Sequence, residues 1–468
     1  MSDTERSHDA DAHAHHDHDH AHDVEGPGYA TPQAAIEQSE REKTAYVMGL
    51  YVGTDVDAPD FLGVVDVDPD SDTYGEVVER LEMPNKGDEL HHFGWNACSS
   101  SCHVDGLERQ HLVIPGQRSS RIHVVDTQER RDPEFETVVE PEDVFDHDLS
   151  APHTVHCIPD GEILISMLGD ADGDLPGGFL ELDDDFAVEG RWEPPGEIEM
   201  NYDFWYQPRQ NVMLSTEWAA PKTYYPGFDL EDVEDGKYGQ RLHFWDWEEG
   251  VVEQTIDLGE EGLIPLEARF LHTPESTHGY VGAALSSNII HFWEGDGEYH
   301  AEPAIEFDDR EHEGWDMPVP ALPTDILISM DDRYLFGSNW LHGEVWMYDI
   351  SDPSNPRKAD SLSIGGYFGD IQEVQGRELA AGPQMLQLSL DGERLYWTTS
   401  LFSSWDDQFF PEEAKQGSVM LKADVNPRRG TMSLDEEFLV DFGEMPAGPA
   451  RAHEIRWPDG DCTSDVWQ

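Results

Sequence analysis

The sequence predicts an all-β fold: a seven-bladed β-propeller behind a disordered His- and Asp-rich N-terminal tail. Three observations lead there. Strand-like runs recur from about Thr44 onward, punctuated by Asp-Gly, Pro-Asp-Gly or Asp-Asp-Arg turns, as in CIPDGEILIS, SMDDRYLF, SLDGERLYWT and RWPDGDC, which reads as successive β-hairpins. Long helical periodicity is nearly absent. Aligning the turns then exposes a repeat, because six or seven residues before each turn a polar residue opens an inward strand. Those positions are His153 (or Thr154), Asp203, Asp325, Gln384 and His453, with Glu267 one step further back in its copy and His92 in the comparable place before a first, less regular copy. Successive gaps are 61, 50, 64, 58, 59 and 69 residues. Seven copies of about 60 residues, each with about four strands, describe a seven-bladed propeller.

Taken in chain order, residues 1–25 hold seven of the 23 histidines, interleaved with Asp and Ala. Such a composition cannot bury a core, so a disordered tail is expected. The remainder, 26–468, is read as one propeller domain. Helix is expected only around Pro32–Arg41 and near Glu412–Lys415. In each copy a later strand ends near an aromatic residue or Asp: RIHVVD, GGFLELD, LHFWDW, IIHFW, EVWMYDI. A blade cannot cover both of its faces alone, and stacking in a ring covers both. The inward strands then aim their leading residues at a central channel. A ring of His, Asp, Glu and Gln there is costly unless it holds water, a ligand or a metal.

Charge narrows the function. The chain has 100 acidic residues against 28 basic ones, a formal net charge of −72. That excludes a binder of nucleic acid or of anionic membrane, since both need a basic footprint. Only seven of the basic residues are Lys, and a carboxylate-rich, Lys-poor surface stays hydrated in concentrated salt, so a halophilic, salt-loaded interior is expected. No apolar run approaches the length of a membrane-spanning helix. The first residues lack the basic and apolar regions of a signal peptide. Four cysteines are too few for a disulfide scaffold. A cytoplasmic location is expected, and the oligomeric state stays open.

Histidines are the residues that suggest chemistry. DELHHFGWNACSSSCH (88–103) offers His91, His92, Cys98 and Cys102; HTVHC offers His153, His156 and Cys157; AHEIR offers His453. Neighbours on a strand point to opposite faces, so His91 and His92 share a ligand only if the backbone bends, which Gly94 would allow. The i,i+3 pair His153 and His156 likewise splits between faces. Imidazoles converging on a channel suit copper, non-haem iron or zinc, with Asp203, Glu267 and Asp325 as acceptors for the other ring nitrogens. Asp203 and Glu267 are also the candidate catalytic carboxylates. Cys98 and Cys102 are spaced one residue wider than a redox pair. Gly-rich phosphate loops, a nucleophile elbow and HExxH are all absent.

At these motifs the sequence resembles the selenium-binding protein family, whose members include methanethiol oxidases. The resemblance runs from GPGYATP to the C-terminus through LEMPNKGDELHHFGWNACSS, YDFWYQPRQNVMLSTEWAAP, TDILISMDDRYLFGSNWLHG, AGPQMLQLSLDGERLYWTTSLFSSWDDQFFPE and FLVDFGEMPAGPARAHEIRWPDGDCTSDVW. It implies a β-propeller and a copper-dependent oxidation of methanethiol, by O₂ and water, to formaldehyde, hydrogen sulfide and hydrogen peroxide. By motif match its copper would sit on His91, His92, His153 or His156, and His453. The partners implied are a small thiol and O₂. Where animal members carry a selenium-binding cysteine this chain has Gly75, and the family's CSSC is CSSSC here. The alternative is a selenium-binding or non-catalytic thiol- or partner-binding propeller.

Overall fold

Seven four-stranded antiparallel sheets stand in a ring in the computed structural model, which describes residues 26–467; the expected tail lies outside the described residues. The innermost strands are Gly94–Trp95, Ser150–Cys157, Phe204–Gln207, Pro265–Phe270, Pro323–Ile328, Leu386–Leu388 and Arg451–Arg456. The polar positions of the repeat lie on these strands or just ahead of them. His153, Glu267, Asp325 and His453 are on their strands, and His92, Asp203 and Gln384 lead theirs by one or two residues.

The ring closes by sharing a blade between the two ends of the chain. Arg451–Arg456 pairs antiparallel with Thr44–Leu50, and Phe61–Asp66 and Val77–Glu82 complete that sheet outward. Closure leaves no blade to be peeled away alone, and His453 on the final strand becomes a neighbour of His91 and His92 near the start.

Burial follows the same radial order. The inner strands are buried along their whole length, whereas outermost strands such as Glu134–Val139 and Val251–Asp257 alternate or are exposed. Aromatic side chains fill the gaps between blades: Phe179 meets Phe204 and Trp245 edge-on at 5.2 and 5.5 Å, the geometry favoured by ring quadrupoles. The excess of carboxylates therefore falls on outer strands and loops, where water solvates it.

The first helix is Pro32–Gln38, with Thr31 accepting from the Ala34 amide and Pro32 opening the first turn, the pairing expected of a helix start. The second expected helix is the single turn Glu413–Gln416. Four further short helices, Pro141–Phe145, Pro221–Tyr224, Leu230–Glu234 and Ser403–Phe409, lie in connections and are too short to show a 3.6-residue period. Two of these connections meet: Trp405 packs on Trp218 and Phe228, and Phe402 on Tyr224, with ring centroids 5.3–5.8 Å apart. They form an aromatic plug over the leading ends of the inner strands.

Candidate metal centre

His91, His92 and His153 each bring a ring nitrogen to within 4.8 Å of the others, and all three are buried. His453 lies parallel to His91, with centroids 3.9 Å apart. Four imidazoles from three blades thus meet at one place. His91 and His92 share it because they precede the strand rather than lie on it: Glu89 takes a left-handed φ of 51° and the strand proper is only Gly94–Trp95. Gly94 has a different task from the bend expected of it. A Cβ there would stand 2.5 Å from the Val155 carbonyl, so glycine is what lets this strand lie against the one carrying His153.

His153 and His156 part company. Ala151 has φ 55° and the register slips between Pro152 and Val155, which leaves His153 in the cluster. His156 instead packs edge-on against Phe204 and Trp205, each 5.1 Å away.

The hydrogen bonds decide which nitrogen carries the proton. His453 Nδ1 is 2.8 Å from the Ser400 carbonyl; a carbonyl only accepts, so Nδ1 is protonated and Nε2 keeps its lone pair. The Thr154 hydroxyl donates to Asp203 Oδ1 at 2.7 Å and so must accept from His153 Nδ1 at 2.9 Å. His92 Nδ1 stands 3.3 Å from Glu454 Oε1. The Nε2 atoms of His92, His153 and His453 are all buried without a hydrogen-bond partner among the described residues. Burial pushes His91, His92 and His153 well below the ordinary imidazole range, and His453 down to about 4. At neutral pH these rings are neutral donors of lone pairs. Buried polar atoms are normally paired, and a divalent cation is the partner that several converging lone pairs fit. The residues present therefore suit a metal with a preference for imidazole, each ring being oriented from behind as metal-binding histidines usually are.

The two candidate carboxylates differ. Asp203 is fully engaged: Oδ1 takes the Thr154 hydroxyl, and Oδ2 takes the Ala268 amide and Arg269, at 2.7–2.8 Å. Burial alone would raise it, but the Arg269 charge and these bonds hold it below the usual carboxylate range. Glu267 accepts from Arg269 at 2.6 Å through one oxygen, while Oε1 has no hydrogen-bond partner among the described residues and stands 3.7 Å from His92 Nε2. Burial and the neighbouring Asp203 charge push its carboxyl well up. Asp325 is raised to about 7, chiefly by burial.

Some of this set has no separate signal in the sequence. Arg269, which joins Asp203 to Glu267, is two residues past Glu267 on the same strand, so strand parity marks it. Glu454 adjoins His453. The Ser400 carbonyl carries no signal of side-chain type.

The sequence leaves the role of Cys98 and Cys102 open. Cys98 is joined to Cys157, with a Cα–Cα distance of 6.3 Å, and Cys102 is free and half-buried. The disulfide ties the segment after His92 to the strand of His153. At Gly75 the backbone has φ +80°, and a Cβ would lie 3.2 Å from the Leu439 carbonyl, so a cysteine side chain is disfavoured there. No helix among the described residues is long and apolar enough to cross a membrane.

Comparison with known proteins gives the family. The family described as 56 kDa selenium binding protein matches residues 23–468. A Xenopus laevis protein named methanethiol oxidase is 50% identical, covering 94% of this chain and 98% of that one. Selenium-binding protein 2 of Arabidopsis thaliana is 49% identical over 94% and 95% of the two chains. The crystal structure of a hypothetical selenium-binding protein from Sulfolobus tokodaii superposes with a TM-score of 0.88 at 41% identity, covering 94% and 98%. With a family match across nearly its whole length and relatives at about half identity, the chain belongs to the 56 kDa selenium-binding protein family.

Proposed function

We propose that this chain is a methanethiol oxidase, an oxidoreductase that converts methanethiol, O₂ and water to formaldehyde, hydrogen sulfide and hydrogen peroxide, with copper held by the channel histidines. The carrying observation is the set of three buried, unpartnered Nε2 atoms whose Nδ1 atoms face the Ser400 carbonyl, the Thr154 hydroxyl and Glu454. In the overall reaction the carbon–sulfur bond breaks, the oxygen of water ends in formaldehyde, and sulfur leaves as hydrogen sulfide. Two electrons and two protons reduce O₂ to peroxide. When bound, copper supplies a redox partner for sulfur and O₂ and lowers the pKa of a coordinated thiol.

The chain's own residues set the stage. His91, His92, His153 and His453 hold the metal, and His156 packs behind them against the next blade. Asp203 fixes Thr154 and through it the tautomer of His153. Glu267 is placed to exchange a proton with the substrate at Oε1, because that oxygen faces the cluster and has no hydrogen-bond partner among the described residues. Burial beneath the aromatic plug excludes bulk water, which strengthens each of these interactions.

The test is to load the purified chain with copper in high salt, add methanethiol in air, and measure the three products. Formaldehyde, sulfide and peroxide in equal amounts, lost in His92→Ala and His453→Ala, are expected. A copper-loaded, folded protein that forms none of them overturns the reading. A thiol-anchored selenium site has no support at Gly75.

A further inference from the structure

His91 faces a cavity beside the cluster. The space measures about 20 Å³ and is lined by His91, Tyr202 and Thr324 and otherwise by apolar residues, among them Leu266, Ala284, Leu322 and Phe402. That volume admits a single water-sized group. The cavity abuts the metal centre directly: Tyr202 lies against the His153 ring at 4.0 Å, and Phe402 meets His91 edge-on at 5.9 Å. Above it the space is roofed by Trp218 and Trp405 of the aromatic plug.

From this we infer that the cavity receives the S-alkyl group of the substrate, with sulfur directed at the histidines, and that Leu322 and Ala284 on its wall limit that group to a methyl. The inference rests on the thiol-oxidase reading and deepens it by assigning residues that set the chain length of the thiol. An apolar wall suits a methyl group, and a cavity this small penalises each further methylene, which must displace packed side chains. A pocket of this kind separates homologues differing by one methylene by roughly 10- to 200-fold.

The experiment compares copper-loaded full-length wild type, Leu322→Ala and Ala284→Val. For each, metal content and kcat/KM for methanethiol and ethanethiol are measured, together with KM for O₂. Wild type should prefer methanethiol by about 10-fold or more. Leu322→Ala, which shortens the wall, should raise the ethanethiol-to-methanethiol ratio by about 10-fold. Ala284→Val, which fills the space, should raise KM for methanethiol with metal content unchanged. An anaerobic titration with the two thiols, read from the sulfur-to-metal absorption, should give the same order without turnover.

A ratio and a methanethiol KM that stay at wild-type values in both metal-loaded variants overturn the assignment while leaving the oxidase reading intact. So does a rise in KM for O₂ alone, which would give the cavity to O₂. Metal-loaded wild type that oxidises neither thiol overturns the functional reading and the assignment with it. The two variants act in opposite directions on the cavity, so a folding failure of one leaves the other decisive.

Discussion

Replacing Thr154 with Val tests whether the site is oriented from behind. The threonine hydroxyl bridges two buried groups, accepting from His153 Nδ1 at 2.9 Å and donating to Asp203 Oδ1 at 2.7 Å. Valine keeps the shape and removes both bonds. A buried donor left unpaired costs about 1–3 kcal/mol, and a hydrogen bond to a charged acceptor contributes about 1.5–3 kcal/mol. His153 then has no reason to keep its proton on Nδ1, and the tautomer with the proton on Nε2 offers the metal nothing. Loss of such a partner typically weakens metal binding by about 10- to 100-fold, equivalent to about 1.4–2.8 kcal/mol. Competition with a chromophoric copper chelator reads this directly, alongside urea unfolding of the metal-free protein. Thr154→Ser, which keeps the hydroxyl, should restore most of the affinity. Wild-type copper affinity in a folded Thr154→Val protein would refute the orienting role, even if unfolding showed a loss of stability.

Three further outcomes follow from the same geometry. Arg269→Met leaves Asp203 and Glu267 buried without their shared counter-charge, so urea unfolding should show a loss of about 3–5 kcal/mol; an unchanged midpoint would mean that the pair is neutralised in another way. Gly94→Ala pushes a methyl toward the Val155 carbonyl and should cost about 1–3 kcal/mol and reduce copper content, whereas normal content and melting would contradict the close packing. His156→Phe should keep the metal while His153→Ala loses it. His156 is held down to about 3 by burial, so the unfolded chain takes up its proton first as pH falls below about 6.5. The metal-free wild type should therefore lose about 1.4 kcal/mol per pH unit relative to His156→Phe between pH 6.5 and 5, and parallel stability curves would show the ring to be protonated in the fold.

The propeller was legible in the sequence because its repeat places one polar residue at the head of each inner strand, and that spacing survives variation in loop length. Closure was not, since the pairing of Arg451–Arg456 with Thr44–Leu50 joins segments some 400 residues apart and leaves no local pattern. Strand parity put His153 and His156 on opposite faces without saying which of them joins the cluster. It gave no guide to His91 and His92, because they lie outside the strand and follow the left-handed turn at Glu89. Spacing within the chain drew attention to Cys98 and Cys102, yet the partner of Cys98 comes from the next blade. The unexpected helices are four to seven residues long, and even those that open on proline, Pro141–Phe145 and Pro221–Tyr224, are too short to show a helical period.

Electron paramagnetic resonance of the copper-loaded full chain, recorded before and after methanethiol is added under argon, tests the central claim most directly. The account predicts a signal from about one copper per chain, with hyperfine splitting from at least three imidazole nitrogens, bleached by the thiol and absent in His453→Ala. A signal unchanged by His453→Ala, or one that methanethiol leaves intact, would place the metal elsewhere or deny it a part in thiol oxidation.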